Sequence, residues 1–185
     1  KAATIYATYL ENNEKKKLAL FEEAAARGEE QMAAMPKYAN AFYFHALALG
    51  RYSQGISVAK ALAQGLGTKV RDSLSKALKL NPEHADAHIA LGAFHAEVIN
   101  KVGAMVGGLT YGAKKDAAIE HYEKALKLNP DSAIARVEYA NGLVMLFGEA
   151  KMKQAEKLYN EAAACKPMDA MERLDVEAAK AELEE

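Results

Sequence analysis

The sequence predicts an all-α chain of stacked antiparallel helix hairpins, and three observations carry that prediction. Roughly a fifth of the 185 residues are alanine, tryptophan is absent and only four residues are proline, a composition that favours helices packed closely on one another. Two phrases, Lys76 to Pro82 and Lys124 to Pro130, both read Lys-Ala-Leu-Lys-Leu-Asn-Pro. Each is a helix end. Alanine and leucine recur at helical spacing, the lysines complement the carbonyl end of the helix dipole, and Asn-Pro stops the hydrogen-bond ladder. Weaker copies end at Pro36 and Pro167, so four punctuation marks divide the chain into a repeat array.

Composition sets outer bounds. With 51% hydrophobic and 26% charged residues, the chain is a core-forming protein of single-domain size spanning residues 1–185. Its 24 basic and 25 acidic residues give a net charge of −1, which provides no field to gather nucleic acid, so no nucleic-acid partner is expected. One cysteine, Cys165, rules out an intrachain disulfide framework and a thiolate metal cage. No apolar run approaches the length of a membrane span.

The residues around the punctuation marks resemble the tetratricopeptide repeat family, whose unit of about 34 residues is a pair of antiparallel helices. After Pro82, the run His84 to Gly92 supplies a Leu91-Gly92 pair on a first helix. Before Pro130, Ala118, Tyr122 and Ala125 fall where a second helix takes small, aromatic and small residues. Ala155, Tyr159 and Ala162 do the same before Pro167. Small residues let paired helices approach, and the aromatic fills the gap. The resemblance implies a right-handed α-solenoid with a polar capping helix at its end.

The elements follow in order. A leading hairpin covers about 2–11 and 14–35, and Ile5, Tyr6, Tyr9 and Leu10 on its first helix are expected to be incompletely covered, which makes a homo-oligomer plausible. Next come two enlarged hairpins, 38–65 with 68–80 and 84–107 with 113–128. Pro36 to Pro82 spans 46 residues and Pro82 to Pro130 spans 48, whereas Pro130 to Pro167 spans 37. Tyr52, Ile56, Ala59, Leu62 and Leu66, and likewise Ile99, Val102 and Val106, recur at three- and four-residue steps. Both insertions therefore read as a first helix prolonged by extra turns until glycines stop it. An ordinary hairpin, 131–147 with 150–165, precedes a final helix at about 169–184. There Met168, Met171, Leu174 and Ala178 mark the inner face, and Glu172, Asp175, Glu182, Glu184 and Glu185 the outer one.

Carried over residue by residue, the repeat register assigns a concave binding face to Tyr43, Leu47 and Arg51, then Ile89, Ala93 and Glu97, then Val137, Asn141 and Met145. The lining is mostly apolar. It suits a peptide or helix of another protein, and the apolar Tyr43 and Leu47 disfavour the carboxylate clamp of chaperone-binding relatives. The enlarged units, with His45 to Tyr52, Ala87 to Gly92 and the glycines before Lys114, are also similar to the T-component lipoproteins of tripartite periplasmic transporters. That similarity implies the alternative of a periplasmic protein with a small apolar ligand.

Chemistry finds little support. His84, His88 and His95 share one helix face, but His88 and His95 stand where the repeat places packing aromatics, no Asp or Cys completes a ligand set and His-Glu-x-x-His is absent, so no metal site is assigned. Gly103, Gly107, Gly108 and Gly112 follow a helix rather than a strand, unlike a phosphate loop. Lys114 and Lys115 read as solvated lysines, as does the run Lys15 to Lys17. Cys165 reads as a small packed residue, and neighbours such as Glu22 and Glu23 point apart. No catalytic residue and no cofactor is expected, and the chain reads as a binding protein rather than an enzyme.

Overall fold

The computed structural model describes residues 1–183. The described residues form eleven α-helices and one short 3₁₀ turn, with no strand among them. The helices are α1 (Ala2–Tyr9), α2 (Glu14–Ala34), α3 (Ala39–Gln54), α4 (Val58–Ala63), α5 (Leu66–Leu80), α6 (Ala85–Val102), α7 (Ala104–Tyr111), α8 (Lys115–Leu128), α9 (Ala133–Phe147), α10 (Met152–Ala163) and α11 (Ala170–Glu182). No helix among the described residues is long and apolar enough to cross a membrane. Several starts are set by side-chain caps that satisfy a free N–H of the first turn. The Asn13, Ser57, Ser132 and Asp169 side chains accept from the amides of Lys16, Lys60, Ala135 and Glu172 respectively. At α11 the Glu172 carboxylate also reaches back to accept from the Met168 amide at 2.7 Å.

The two Lys-Ala-Leu-Lys-Leu-Asn-Pro phrases end α5 and α8, as the sequence predicts, with Asn81 and Asn129 as the C-caps. The insertions are built differently from the expectation. Instead of prolonging α3 and α6, each forms a helix of its own. α3 stops at Gly55, and Ser57 then caps the six-residue α4, while Gly65 in the left-handed region (φ 64°) turns the chain into α5. α6 stops before Gly103 (φ 82°), and Gly112 (φ 69°) terminates α7. Positive φ is nearly free for glycine and costly for other residues, so Gly103 breaks what apolar periodicity reads as continuous, whereas after Gly55 (φ −91°) it is the Ser57 cap that starts a new helix.

The chain divides within the first turn of α6 into two compact units, Lys1–Ala87 and His88 onward. In the first, α2 packs on α3 and α3 on α5, around Phe21, Ala25, Ala46, Leu49, Tyr52, Val70 and Leu74. A Cβ on Gly28 would lie 2.9 Å from the Cα of His45, so α2 and α3 cross at backbone contact there. His45 Nδ1 and the Ser73 hydroxyl are 2.8 Å apart and buried, joining α3 to α5. His45 Nε2 lies 3.5 Å from the Glu29 carboxylate, yet burial outweighs that attraction and pushes the imidazole below its ordinary pKa.

In the second unit the centre is Tyr122 of α8, only 1% exposed. Its ring is held between α6 and α9, because those helices present Gly92 and Gly142 to it. A Cβ at Gly142 would approach the ring to 2.6 Å and the hydroxyl to 2.8 Å, and one at Gly92 would approach the ring to 2.9 Å. Tyr139 stacks on Tyr122 at 5.2 Å between centroids, and Ala96, Ala118, Ala140, Leu143 and Ala155 complete the cluster. The expected small-aromatic-small pattern of α8 is thus present, with Ala118 and Ala125 also buried.

The cap differs from its expected register. Asp175 is 2% exposed and Val176 and Ala179 are buried, packing with Ala133, Val137 and Ala162, while Met168 is 86% exposed. Met168 precedes the Asp169 cap and so lies outside the helix, which removes it from the apolar stripe and turns Val176 and Ala179 inward. Glu184 and Glu185, assigned to the outer face, lie outside the described residues. Near the start of the chain Tyr6 and Leu10 are exposed.

Gly142→Ala places a methyl group where the Tyr122 ring now sits and is expected to destabilise the protein by about 1–3 kcal/mol, the usual effect of overpacking. Urea unfolding measures it; a change under about 0.5 kcal/mol, within the range of neutral surface substitutions, would contradict the glycine-lined seat.

Candidate binding surfaces

In the first unit the predicted residues of α3 stand one turn apart. Tyr43 is buried, with its ring 4.8 Å from that of His84 and 5.0 Å from that of Phe44. Leu47 and Arg51 are half-buried and reach the surface. The Arg51 Nη1 donates to Gln54 Oε1 at 3.2 Å. Arg51, Gln54 and Gly55 form one wall of a cleft of about 300 Å³, and Thr8 of α1 with Glu14, Lys17, Leu18 and Phe21 of α2 form the remainder. Leu18 floors it beside Gly55, where a Cβ would meet the leucine Cδ2 at 2.6 Å. Lys17 lies 3.0 Å from Glu14, so the rim carries two cations and one carboxylate over an apolar floor.

Sequence reasoning assigned only Arg51 to this place. Lys17, Leu18 and Phe21 were within reach, because positions 17 and 21 share a face of α2 at the four-residue step. The lysine run read as solvated, however, and only the packing of α2 on α3 reveals that Lys17 faces Arg51 across a cleft.

In the second unit the predicted residues separate into support and surface. Ile89 is buried with Ala125 and Ala135, and Val137 is buried beneath α11 against Val176 and Ala179. Asn141 accepts a hydrogen bond from the Tyr159 hydroxyl. Ala93 and Glu97 are half-buried, with the Glu97 carboxylate 3.5 Å from Lys101 Nζ, and Met145 is exposed.

The histidines do not gather as their shared helix face suggests. His84 Nε2 lies 2.7 Å from Asn40 Oδ1 and its ring packs on Tyr43. His88 and His95 instead meet His121 of α8, which the sequence reading did not single out. The Nδ1 atoms of His88 and His121 are 2.9 Å apart, so one ring donates and the other accepts. His95 stacks on His121 at 5.9 Å and sits edge-on to Phe94 at 5.6 Å. These are packing aromatics with a polar edge. Among the described residues no group of three or more His, Cys, Asp or Glu side chains is arranged to hold a metal ion. Burial, reinforced by the neighbouring His88 and His95, pushes His121 down to about 4, and burial with the Lys114 charge also lowers His95.

Two residues set aside as chemically inert have structural partners. Lys115 donates to the Leu146 carbonyl at 2.5 Å, with its ammonium 4.8 Å from the Phe147 ring centroid. It thereby caps the carbonyl end of α9 rather than standing in solvent. Cys165 packs beside the cluster under α11, its thiol donates to the Glu161 carbonyl at 3.3 Å, and burial pushes its pKa up.

These elements define an all-α protein of the tetratricopeptide type. The crystal structure of TTC0263, a thermophilic TPR protein in Thermus thermophilus, matches it with a TM-score of 0.62 at 20% identity, over 90% of this chain and 76% of that one. The chain belongs to the family described as Regulator of microtubule dynamics protein 1-3, whose model matches residues 1–185. No curated protein matches the chain.

The depressed His121 makes stability pH-dependent. Its folded pKa of about 4 lies below the ordinary 6.5, so the unfolded chain binds the proton first, and stability falls as pH drops from about 6.5 towards 4. At full effect the loss is at most on the order of 3 kcal/mol, and less once solvent screening of the half-buried ring is counted. Urea midpoints across that window should fall for the wild type and flatten in His121→Phe; identical pH profiles would contradict the assignment.

Proposed function

We propose that the chain is a non-enzymatic binding protein whose helix hairpins hold a peptide or helix of another protein. The observation that carries this reading is the cleft of about 300 Å³ walled by α1, α2 and α3, with Lys17 and Arg51 above Leu18 and Phe21. A cleft of that size lies at the lower end of the range of small-molecule pockets and takes a few side chains of a partner segment. With Glu14 beside Lys17 the rim keeps one net positive charge over an apolar floor, which suits a segment that combines apolar residues with an acidic one. The polar share of the lining, Glu14, Lys17, Arg51 and Gln54, favours such a segment over a small apolar molecule.

Leu47, one turn before Arg51, extends the contact surface along α3. Ala93, Glu97, Asn141 and Met145 offer a second one in the other unit. Tyr43, Ile89 and Val137, being buried, hold these helices in place and contribute no direct contact. Repeat folds of this type serve as interaction scaffolds, and the family's description makes tubulin the first partner to test.

Arg51→Glu is expected to weaken partner binding about tenfold or more by reversing a rim charge that meets an acidic segment, with helicity by circular dichroism unchanged. Titration of purified tubulin, followed by fluorescence anisotropy of labelled protein, measures it. Wild-type affinity in both Arg51→Glu and Leu47→Glu would rule out the α3 surface. A co-purified small hydrophobic mass in native mass spectrometry would overturn the peptide reading.

A further inference from the structure

α6 starts on a cap of a different chemistry from those of α2, α4, α9 and α11. Asn13, Ser57, Ser132 and Asp169 cap those four helices with oxygens that do not change charge between about pH 5 and 8. His84 stands immediately before Ala85, the first residue of α6, and its Nδ1 accepts from the Ala87 amide at 3.3 Å. That is the place of an N-cap side chain, which takes the third amide of the helix. The Ala87 N–H is shared, since the His84 carbonyl also accepts from it at 3.1 Å. The other ring nitrogen fixes the tautomer. Asn40 Nδ2 donates to the Tyr38 hydroxyl at 3.1 Å, which leaves the amide oxygen to face His84. That oxygen lies 2.7 Å from His84 Nε2 and has no proton to give, so Nε2 carries the hydrogen and donates it. Nδ1 then keeps the lone pair that the Ala87 N–H meets, and both contacts call for the same neutral ring.

A proton on Nδ1 removes the acceptor and sets two N–H groups against each other. It also puts a positive ring at the end of a helix where cations are unfavourable. From α3, Asn40 and Tyr43 face the ring, the latter at 4.8 Å between centroids, and neither is charged near neutral pH. The carboxylates nearest in sequence, Glu83 and Asp86, are exposed, and their charge favours uptake of the proton. Asn40 accepts from Nε2 in either state, and an aromatic neighbour holds a cationic ring at least as well as a neutral one. What protonation releases is therefore the first turn of α6 and not the ring.

We propose that His84 is a pH-sensitive clasp on the start of α6, closing its first turn while the ring is neutral and opening it when the ring is protonated. The test uses the intact chain. Nitrogen-15 NMR of the imidazole should find the hydrogen on Nε2 above the titration of His84; a hydrogen on Nδ1 there would overturn the proposal. Hydrogen exchange then reads the turn. After correction for the pH dependence of the intrinsic rate, the Ala87 and His88 amides are expected to be about fivefold less protected at about pH 5 than at about pH 8, the loss usual for an N-cap. His84→Asn, which caps without titrating, should hold the same protection at both pH values. His84→Ala should show the low value at both. His121 titrates in all three proteins, so the difference between them belongs to His84. Wild-type protection that does not change with pH, an equal fall in His84→Asn, or full protection in His84→Ala would each overturn the clasp.

Discussion

The second unit depends on one steric constraint: a tyrosine ring can occupy the space between two helices only if those helices have no side chain there. Tyr122 fills that space because residues 92 and 142 are glycines. Glycine inside a helix costs roughly 0.5–1 kcal/mol relative to alanine. Burying a whole aromatic ring returns more than that, with the stacking of Tyr139 added. The ring fixes the approach of α6 and α9, which in turn places the half-exposed Ala93, Glu97 and Asn141 on their outer turns. Surface and core are therefore specified by the same spacing.

The first unit meets the same demand by another route. Gly28 lets α2 reach the backbone of α3, and the buried pair His45 and Ser73 ties α3 to α5. Close contact of α2 with α3 is what brings Lys17 opposite Arg51 and leaves the cleft between them. Substituting a smaller residue in the core would loosen that wall, whereas a charge change on the rim would leave it standing. Phe21 belongs to both the core and the cleft, whereas Lys17 and Arg51 stand at its rim.

The repeat was legible in the sequence because its signals are local. Asn-Pro stops, the Leu91-Gly92 pair and the spacing of Ala118, Tyr122 and Ala125 each act within a few residues of the chain. Three features were not legible. Apolar periodicity continues through Gly55 and Gly103, so the separate helices α4 and α7 looked like prolongations. Periodicity reports which residues are apolar and not where the backbone turns, whether by the positive φ of Gly103 or by the Ser57 cap that starts a new helix after Gly55. The register of α11 was misjudged because Met168 resembles a core residue and Asp175 a surface one, yet the Asp169 cap fixes the helix start so that Asp175 turns inward. Lys17 read as solvated and His121 was not singled out, because Arg51 across the cleft and the ring of His88 are 34 and 33 residues away. Only tertiary packing joins them.

If the seat of Tyr122 organises the second unit, the backbone of α8 should open only when that unit unfolds as a whole. Native-state hydrogen exchange of the α8 amides measures this directly. The account predicts that the amides around Tyr122 exchange among the slowest in the protein and with the same free energy as those flanking Gly92 and Gly142. Amides of α8 that exchange early, independently of α6 and α9, would contradict it.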